Sequence, residues 1–576
     1  MDNPSGSLAL QAESLLDLES SLYYLLITRL FANKKLVPSK KFPKFIFVSG
    51  GVISGLGKGI TAASTSLLLK SRGLTVSPVK CDMYLNIDAG TMNPLEHGEI
   101  FVTEDGAETD QDIGHYERFL DQNLGWENYL TAGQIYQRVL EQERALRYEG
   151  RCVEAYIHIP EEIIRRLERL TRRSDLVVVE YGGTVGEYQN VMFFEAARRL
   201  RIKYGKNVLF IHVGYLPIPP SIGEMKTKPM QQSIHELNTL GIQPDIIVCR
   251  AEQPVDNRRR KKIAFAAALE PSDVFASPDI PSIYEMPLIL EEQGLTARIL
   301  EKLDLEMPKR NLRSWRKMIK GVKEARGKVK VAIVGKYYTS GGFSLEDSYI
   351  SVIEAVKHAS WAEGAKPVIV WFDSEKLEKE GTDRLNDIDG IIVPQGWGSR
   401  GVEGKIKAAQ FARENKVPYL GLCFGMQMAV VEFGRHVVGL RQANSTEANP
   451  ETSHPVIHVM PDQKKYLEKH QYGGTIRLGA WKCRVRSGTK LSKAYGRACV
   501  VSERHRHRYE FNNRYRKRFE KAGMVFSGVS PDGKLVEAIE ISDHPFFVGT
   551  QFHPEYKSRP LSPHPLFVEF IKACLH

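Results

Sequence analysis

Short apolar runs alternate with longer segments of helical periodicity along most of the chain, and this pattern predicts its architecture. In the first half, apolar strands are predicted at 45–48, 175–179, 208–211 and 245–248, and a helix-like stretch runs from Ala62 to Lys70. Short apolar strands that alternate with helices are typical of parallel sheets covered by helices on both faces. The pattern therefore predicts a doubly wound α/β domain.

A second α/β domain is predicted where a new apolar run, Val329 to Gly335, begins, and the pattern continues through Gly390 to Pro394. The segment before it is charged, carries a proline and lacks a strong apolar stripe, so we interpret it as a linker that is partly helical. Before the first domain, Ala12 to Leu30 is helix-like and suits either a docking or assembly helix or a dispensable extension. We therefore predict an extension at 1–41, a first domain at 42–305, a linker at 306–328 and a second domain at 329–576.

Composition and charge narrow the class of protein. A chain of 576 residues is too long for one core. Its seven cysteines form no C-x-x-C pair or metal-ligand spacing, which favours reduced thiols and a cytoplasmic location. No apolar run near the start is long enough to cross a membrane, and no leader with a cleavage site is recognisable, so we predict no membrane partner.

The net charge of +11 suits either a nucleic-acid binder or an enzyme with polyanionic nucleotide substrates. The densest basic runs, 504–508 and 514–518, contain aromatic residues and are the best argument for nucleic acid. No recognisable nucleic-acid module surrounds them. We therefore predict an enzyme without a nucleic-acid partner.

Candidate chemistry is clearest at Gly421 to Gly425, where Cys423 lies between an apolar run and a helix-like stretch that starts at Met426. A nucleophile on a tight strand-to-helix turn is a nucleophile elbow, in which the glycines allow a strained backbone and the helix N-terminus stabilises a thiolate and supplies oxyanion donors. The alternative is a buried cysteine in a glycine-bounded turn.

A base and its orienting carboxylate follow at His553 and Glu555. Pro554 favours extended geometry for His553, so the two side chains are predicted to lie on one side of the chain. His553 would keep Cys423 deprotonated and Glu555 would hold the imidazole, as in a Cys-His-Glu triad. On these motifs, residues 329–576 resemble a class I glutamine amidotransferase domain, which implies a flavodoxin-like α/β fold and hydrolysis of glutamine through a cysteinyl thioester.

A glycine-rich turn at 49–61 follows the first predicted strand and precedes a helix, which is where backbone N–H groups cradle phosphates. Lys58 would add a cation at the terminal phosphates. The spacing is G-x5-G-K, and Gly59 stands where a Walker A motif has Ser or Thr, so magnesium must be held elsewhere. Asp112 in the acidic loop 101–116, and Glu180 at the end of a predicted strand, are the candidate ligands. A solvated acidic loop and an ordinary strand-terminal glutamate are the alternatives.

The chain from about Phe42 to its end resembles the CTP synthase family. The resemblance rests on segments that occur in the family's order: 50–60, 80–86, 90–92, 96–99, 101–119, 180–186, 223–229 and 473–480. It implies a P-loop-like synthase domain in which ATP phosphorylates O4 of UTP, followed by displacement of the phosphate by ammonia from glutamine. It also implies Mg²⁺ as cofactor, ATP and glutamine as co-substrates, GTP as activator, CTP as inhibitor, and a homotetramer capable of forming filaments.

The resemblance also implies roles for residues of this sequence. Catalysis is expected from Cys423, His553, Glu555 and Lys58, and magnesium binding from Asp112 and Glu180. The ATP-binding residues are expected to be Gly55, Leu56, Gly57, Lys58, Gly59, Ile60, Asp112, Asp279 and Ile280. The UTP- and CTP-binding residues are expected to be Ser54, Lys80, Asp82, Glu187, Gln189, Lys226, Thr227, Lys228, Gln231 and Lys262. The glutamine-binding residues are expected to be Gly396, Phe424, Gln427, Glu447 and Arg477, with the oxyanion hole formed by Gly396 and the Phe424 backbone.

Two departures from the family pattern concern function. Gln395 stands where the family has a glycine beside the oxyanion hole, which bears on glutaminase efficiency. Gln189 stands where the family has a second carboxylate, which bears on inhibition by CTP. Two other classes stay open: another glutamine-dependent amidoligase, such as a cobyrinic-acid-type enzyme, and a non-catalytic assembly protein. The former lacks a segment like 226–229, and the intact candidate catalytic residues argue against the latter.

Overall fold

The computed structural model describes residues 42–469 and 473–576, apart from 307, 308, 310, 337, 338, 341, 342 and 345. The predicted helix Ala12 to Leu30 lies outside the described residues. Within them, no helix combines the length and the apolar character that a membrane span requires.

The first half of the described chain alternates strands and helices, as the hydrophobic pattern predicts. Its strands are β1 (Phe45–Gly50), β2 (Val76–Asp82), β3 (Phe101–Val102), β4 (Glu108–Thr109), β5 (Tyr129–Thr131), β6 (Leu176–Tyr181), β7 (Val208–Tyr215), β8 (Ile246–Ala251) and β9 (Val274–Pro278). Its helices are α1 (Lys58–Lys70), α2 (Pro94–His97), α3 (Gln111–Leu120), α4 (Ala132–Arg144), α5 (Ala155–Leu170), α6 (Val191–Tyr204), α7 (Lys228–Thr239), α8 (Asn257–Ala266), α9 (Met286–Glu292) and α10 (Leu295–Lys302).

Seven of these strands form one parallel sheet in the order β5-β2-β6-β1-β7-β8-β9. Successive side chains of a strand point to opposite faces, and β1 shows this directly. Ile46 and Val48 belong to one buried cluster, whereas Phe45 and Phe47 belong to another. The sheet therefore has a core on each face, which confirms the doubly wound architecture.

The second half contains a larger, mixed sheet. The strands are β10 (Gly327–Gly335), β11 (Thr339–Ser340), β12 (Phe343–Ser344), β13 (Ala365–Asp373), β14 (Gly390–Val393), β15 (Tyr419–Leu422), β16 (Ala443–Ser445), β17 (His454–Val459), β18 (Arg477–Val485), β19 (Val500–His507), β20 (Tyr509–Phe511), β21 (Met524–Val529), β22 (Val536–Ile541) and β23 (Phe547–Thr550). The helices from 313 onward are α11 (Arg313–Glu324), α12 (Ile350–Ala362), α13 (Ser374–Glu380), α14 (Val402–Glu414), α15 (Phe424–His436), α16 (Lys464–Glu468), α17 (Lys490–Ala494), α18 (Arg516–Lys521) and α19 (Pro565–Leu575).

The order in this sheet is β13-β10-β14-β15-β23-β22-β21-β18-β19. The pairs from β13 to β23 are parallel, and those from β23 to β19 are antiparallel. The parallel part matches the predicted α/β domain. The nucleophile strand β15 is buried within it, between β14 and β23.

The basic run 504–508 proves to be interior. Arg504 lies in β19 at 0% exposure and pairs with Glu117 and Glu104 of the first half, each at 2.9 Å. Arg506 pairs with Glu108 at 2.8 Å. Since these guanidinium groups neutralise buried carboxylates, this run is not a nucleic-acid surface, and the structure instead uses it to join the two halves.

The segment at 306–328 carries a more strongly packed helix than its charge suggests. Trp315 and Ile319 of α11 are buried in a core of the first half, and the Trp315 indole donates to the Tyr284 carbonyl at 2.9 Å. Our expectation that this segment lacks a strong apolar stripe is therefore wrong, because two apolar side chains one turn apart are enough to anchor the helix.

Candidate active sites

The elbow around Cys423 is a tight strand-to-helix turn. Cys423 follows β15 directly, precedes the first residue of α15 and has φ +52° and ψ −99°. A non-glycine residue in this region is strained, by about 1–3 kcal/mol, and such strain clusters at functional sites. The strained residue is thus the cysteine itself, at the tight turn that the motif predicts.

The flanking glycines instead permit close approach. A Cβ on Gly425 would lie 1.9 Å from the Val393 carbonyl oxygen, and one on Gly421 would lie 2.8 Å from the Gly425 backbone. A larger residue at Gly425 would push the elbow away from β14, and one at Gly421 would push β15 away from the first turn of α15. The buried Cys423 thiol also receives a hydrogen bond from the Gln551 amide at 3.5 Å.

His553 and Glu555 lie together beside this thiol. His553 Nδ1 donates to Glu555 Oε1 at 2.6 Å, and both side chains are buried. The two side chains meet across Pro554, at the start of the 3-10 turn Pro554–Lys557. They were predicted to lie on one side of the chain, and they lie in contact here.

The electrostatics of the triad favour a charged imidazole. Burial by itself would lower the pKa of His553, but Glu555 and Cys423 raise it to about 10. A thiolate and an imidazolium stabilise each other in such a pair. The geometry therefore holds a nucleophile, a proton carrier and an orienting carboxylate in one buried cluster.

The segment that would form the oxyanion hole, Pro394 to Gly396, directly follows β14 and is held through its carbonyl groups. Lys405 Nζ donates to the Pro394 carbonyl at 2.8 Å and to the Gln395 carbonyl at 3.3 Å. Burial lowers the pKa of Lys405 well below its usual value. Next along the chain, a Cβ on Gly396 would lie 2.8 Å from Lys336 Cε, so a larger residue there would have to displace the end of the Lys336 side chain.

A cavity of about 270 Å³ is lined by residues of both halves, with Thr91 and Ile100 from the first and Trp397, Glu447 and Arg508 from the second. The Glu447 carboxyl accepts a hydrogen bond from the Gly398 backbone N–H at 2.7 Å, and burial raises its pKa to about 7. A carboxylate and a guanidinium in one cavity suit the amino and carboxylate groups of an amino acid.

Arg477, by contrast, does not line this cavity. Its guanidinium makes a bidentate pair with the buried Glu537, at 2.8 and 3.1 Å. Arg508, which sequence reasoning passed over as part of a basic run, faces the cavity with Glu447. Gln427 donates to the Tyr509 carbonyl at 3.0 Å, and its Oε1 is buried without a partner among the described residues.

The glycine-rich turn at 51–57 joins β1 to α1, as the motif predicts. Gly57 caps the helix in the left-handed region, and Lys58, the first helical residue, donates to the Gly183 carbonyl at 2.7 Å. A Cβ on Gly59 would lie 2.3 Å from Asp112 Oδ1. Gly59 thus gives the Asp112 carboxylate the space where a Walker A motif places its hydroxyl group.

Six charged side chains meet above the carboxyl ends of the central strands. We call them the lysine–carboxylate cluster, and they are Lys58, Lys80, Asp82, Asp110, Asp112 and Glu180. Lys80 contacts Asp112 and lies 3.2 Å from Glu180 and 3.9 Å from Asp82. Tyr116 donates to the second oxygen of Glu180. Strand register explains the meeting, because Lys80 and Glu180 are paired neighbours on the parallel strands β2 and β6.

Carboxylates outnumber lysines in this cluster, and their pKa values respond. Burial raises the pKa of Asp82 and that of Asp110, and burial together with Asp112 raises that of Glu180 to about 7. Lys80 nevertheless holds the pKa of Asp112 below its usual value against the effect of burial. Excess buried negative charge of this kind favours a bound cation.

The cluster fits magnesium in one particular way. Among the described residues, no three histidine, cysteine or carboxylate side chains are placed to hold a metal ion by themselves. Mg²⁺ is commonly held by one or two carboxylates together with substrate phosphates. Asp112 and Glu180, beside the glycine-rich turn, match that arrangement.

The residues expected to bind UTP or CTP lie mostly outside the cluster. Lys228 and Lys262 are exposed, and Lys226 pairs with Glu224 at 2.7 Å. The Thr227 hydroxyl accepts a hydrogen bond from Gln231 at 3.0 Å. Ser54 is exposed in the glycine-rich turn, and Glu187 and Gln189 follow β6. Of the residues expected to bind ATP, Gly55 is exposed and Leu56 is buried in the glycine-rich turn, Ile60 lies in α1, and Asp279 and Ile280 follow β9.

Comparison with known proteins covers both halves. The family described as "CTP synthase N-terminus" matches residues 44–305, and the class-I glutamine amidotransferase family matches residues 344–573. The chain is 51% identical over 535 residues to the CTP synthase of Rubrobacter xylanophilus, across 92% of this chain and 95% of that protein. It is 52% identical over 537 residues to the CTP synthase of Caldanaerobacter subterraneus subsp. tengcongensis, across 92% and 98%. The solved glutaminase domain of Trypanosoma brucei CTPS with bound acivicin is 40% identical, across 43% of this chain and 94% of that one, with a TM-score of 0.40.

Proposed function

The chain belongs to the CTP synthase family, and we propose that it converts UTP to CTP with ATP and with ammonia released from glutamine. One observation carries the proposal. A single chain holds a buried cysteine–histidine–glutamate triad and, separately, a phosphate-binding turn beside the lysine–carboxylate cluster. A glutaminase joined to such a nucleotide site supplies ammonia to an acceptor that ATP activates.

In the glutaminase half, the Cys423 thiolate attacks the side-chain carbonyl of glutamine. Gly396 and the Phe424 backbone stabilise the oxyanion, and the His553 imidazolium gives its proton to the departing ammonia. Water then hydrolyses the thioester to give glutamate. Glu447 receives the substrate's α-amino group, and Arg508 suits its carboxylate better than Arg477 does, because Glu537 occupies Arg477.

In the synthase half, uracil O4 takes the γ-phosphoryl group of ATP, and ammonia then displaces phosphate at C4. Lys58 and Lys80 offset the negative charge of the phosphoryl group as it moves. Asp112 and Glu180 would hold Mg²⁺, which supplies further charge neutralisation when it is bound. Gly55, Gly57 and the N-terminus of α1 provide backbone N–H groups for the phosphates.

The same family membership supports several further proposals. We propose activation by GTP, inhibition by CTP that is weakened by Gln189, a cytosolic location, and a homotetramer that forms filaments. The lysines expected at the UTP site, of which Lys228 and Lys262 are exposed and Lys226 is partly exposed, suit a nucleotide site completed by a neighbouring subunit. Light scattering with and without UTP and ATP would measure the assembly.

The direct test measures CTP formed from UTP and ATP, first with glutamine and then with ammonium chloride, each with and without GTP. We expect the wild-type protein to use both nitrogen sources. The Cys423→Ala variant should lose glutamine-driven synthesis by more than about 10³-fold and keep ammonia-driven synthesis. Absence of CTP with either nitrogen source would contradict the proposal, and other carbonyl acceptors would then be tested for a different amidoligase activity.

A further inference from the structure

Two adjacent residues of the first half, Glu99 and Ile100, touch the glutaminase site of the second half. Both are buried, and Glu99 N–H donates to the Asp347 carbonyl at 2.9 Å. The Glu99 carboxylate accepts the Ser351 N–H at 3.0 Å, in the first turn of α12. A carboxylate is favoured at a helix N-terminus, so the segment is firmly attached to the second half.

The first contact reaches the segment Pro394–Gly396, which would form the oxyanion hole. Gln395 Nε2 donates to the other oxygen of Glu99 at 3.2 Å, and Gln395 immediately precedes Gly396. Lys405, from within the second half, already holds this segment by donating to the Pro394 and Gln395 carbonyls. The Gln395 side chain therefore adds a hold from the first half, at a position where a glycine could make none.

The second contact reaches the base. The Tyr556 hydroxyl donates to the Ile100 carbonyl at 3.0 Å. The ring of Tyr556 stacks on His553, with centroids 4.9 Å apart and planes 13° from parallel. Since Tyr556 is buried at 1% exposure, its ring cannot shift without moving the imidazole or breaking the hydrogen bond.

We infer that Gln395 and Tyr556 are positioning residues, through which the segment Glu99–Ile100 sets the geometry of the glutaminase site. The inference rests on the proposed function. The Gln395 side chain fixes the segment that carries Gly396, and the Tyr556 hydroxyl fixes the ring that stacks on His553. A shift of residues 99–100 in the synthase half thus changes both parts at once, and small displacements of such groups are costly for catalysis.

The experiment uses the full-length protein and three variants. Tyr556→Phe keeps the stacking but removes the hydroxyl, Gln395→Glu places two carboxyl groups together, and Glu99→Gln/Gln395→Glu restores one carboxyl and one amide. Tyr204→Phe is the matched control, since it also removes a tyrosine hydrogen bond, to Glu168 at 2.7 Å, but on a helix of the first half. Glutamate release, glutamine-driven CTP synthesis and ammonia-driven CTP synthesis are measured for each.

We expect Tyr556→Phe to lower kcat for glutamate release about fivefold and Gln395→Glu to lower it about tenfold, with KM for glutamine little changed. The swapped pair should recover to within about threefold of the wild type, which a merely structural role would not produce. Ammonia-driven synthesis should stay within about twofold in every variant, and Tyr204→Phe should behave like the wild type.

Unchanged glutamate release in both single variants, or no recovery in the swapped pair, would overturn the inference. So would a parallel fall in ammonia-driven synthesis, because the damage would then extend to the synthase half. Failure of the proposed function is seen separately, as the absence of CTP formation by the wild-type protein. Glutamate release remains measurable in that case and still tests the positioning contacts.

Discussion

The two candidate sites shift the pKa values of their central groups so that opposite charge states are favoured. In the triad, burial by itself would lower the pKa of His553, but Glu555 and Cys423 raise it to about 10, which favours the charged imidazolium. In the lysine–carboxylate cluster, four carboxylates face two lysines, and burial together with Asp112 raises the pKa of Glu180 to about 7, which disfavours its ionised form. The triad thus stabilises the charge of its base without a ligand, whereas the cluster would gain from further positive charge. A glutaminase can be preorganised in this way, but a phosphoryl-transfer site is completed by its metal ion and nucleotides.

Removing one carboxylate from the cluster should separate the two sites most sharply. We expect Glu180→Gln to lower CTP synthesis about 10³-fold with either glutamine or ammonia, because a proposed magnesium ligand and a partner of Lys80 are both lost. Glutamate release should persist, since the triad does not use this residue. Glu168→Gln, which removes a partly exposed partner of Lys203 away from the cluster, is the control. Synthesis retained by Glu180→Gln would show that the cluster does not hold the metal ion.

The fit of Gly59 against Asp112 offers a second way to disturb the same site. We expect Gly59→Ala to lower CTP synthesis about 10²-fold and to raise the Mg²⁺ concentration needed for half-maximal rate, because its Cβ would lie 2.3 Å from the Asp112 carboxylate. Gly321→Ala is a matched control, since a Cβ there meets nothing within 4 Å. A normal magnesium dependence in Gly59→Ala would mean that Asp112 moves away without loss.

The two sites also differ in how far the sequence could predict them. Cys423 and Lys58 each lie on a strand–turn–helix unit whose parts are consecutive in sequence, so local pattern was enough to find them. Arg508 was missed because its neighbours at the cavity come from strands and loops far apart in the chain. Arg504 and Glu117, which are 387 residues apart, illustrate the same limit.

The fold shows a similar division. Four of the seven strands of the first parallel sheet, β1, β6, β7 and β8, were predicted because they are continuously apolar, as buried strands are, whereas the less apolar β2, β5 and β9 were not. The antiparallel strand β19 was not predicted, since it carries four consecutive arginine and histidine residues, from 504 to 507, and its burial depends on carboxylates of the other half. A charged strand can be recognised from sequence only if its distant partners are already known.

The smallest expected effect concerns the raised pKa of His553 in the triad. Replacing Glu555 by Gln removes an anion that raises the pKa of His553, so this pKa falls. Glutamate release by the wild-type protein should persist on the alkaline side until the imidazolium is lost near pH 10. In Glu555→Gln the alkaline limit should move to lower pH, and kcat at neutral pH should fall about 10-fold.

The same shift has a definite sign for stability. The pKa of His553 is higher in the folded protein than in the unfolded chain, so its contribution is complete below the unfolded value of about 6.5 and is lost as the pH rises through about 10. The free energy of unfolding of the wild-type protein should therefore decline over that interval more than that of Glu555→Gln. Identical pH profiles of glutamate release and of stability in the two proteins would mean that Glu555 does not set the charge of the imidazole, and the contrast between the two sites would then disappear.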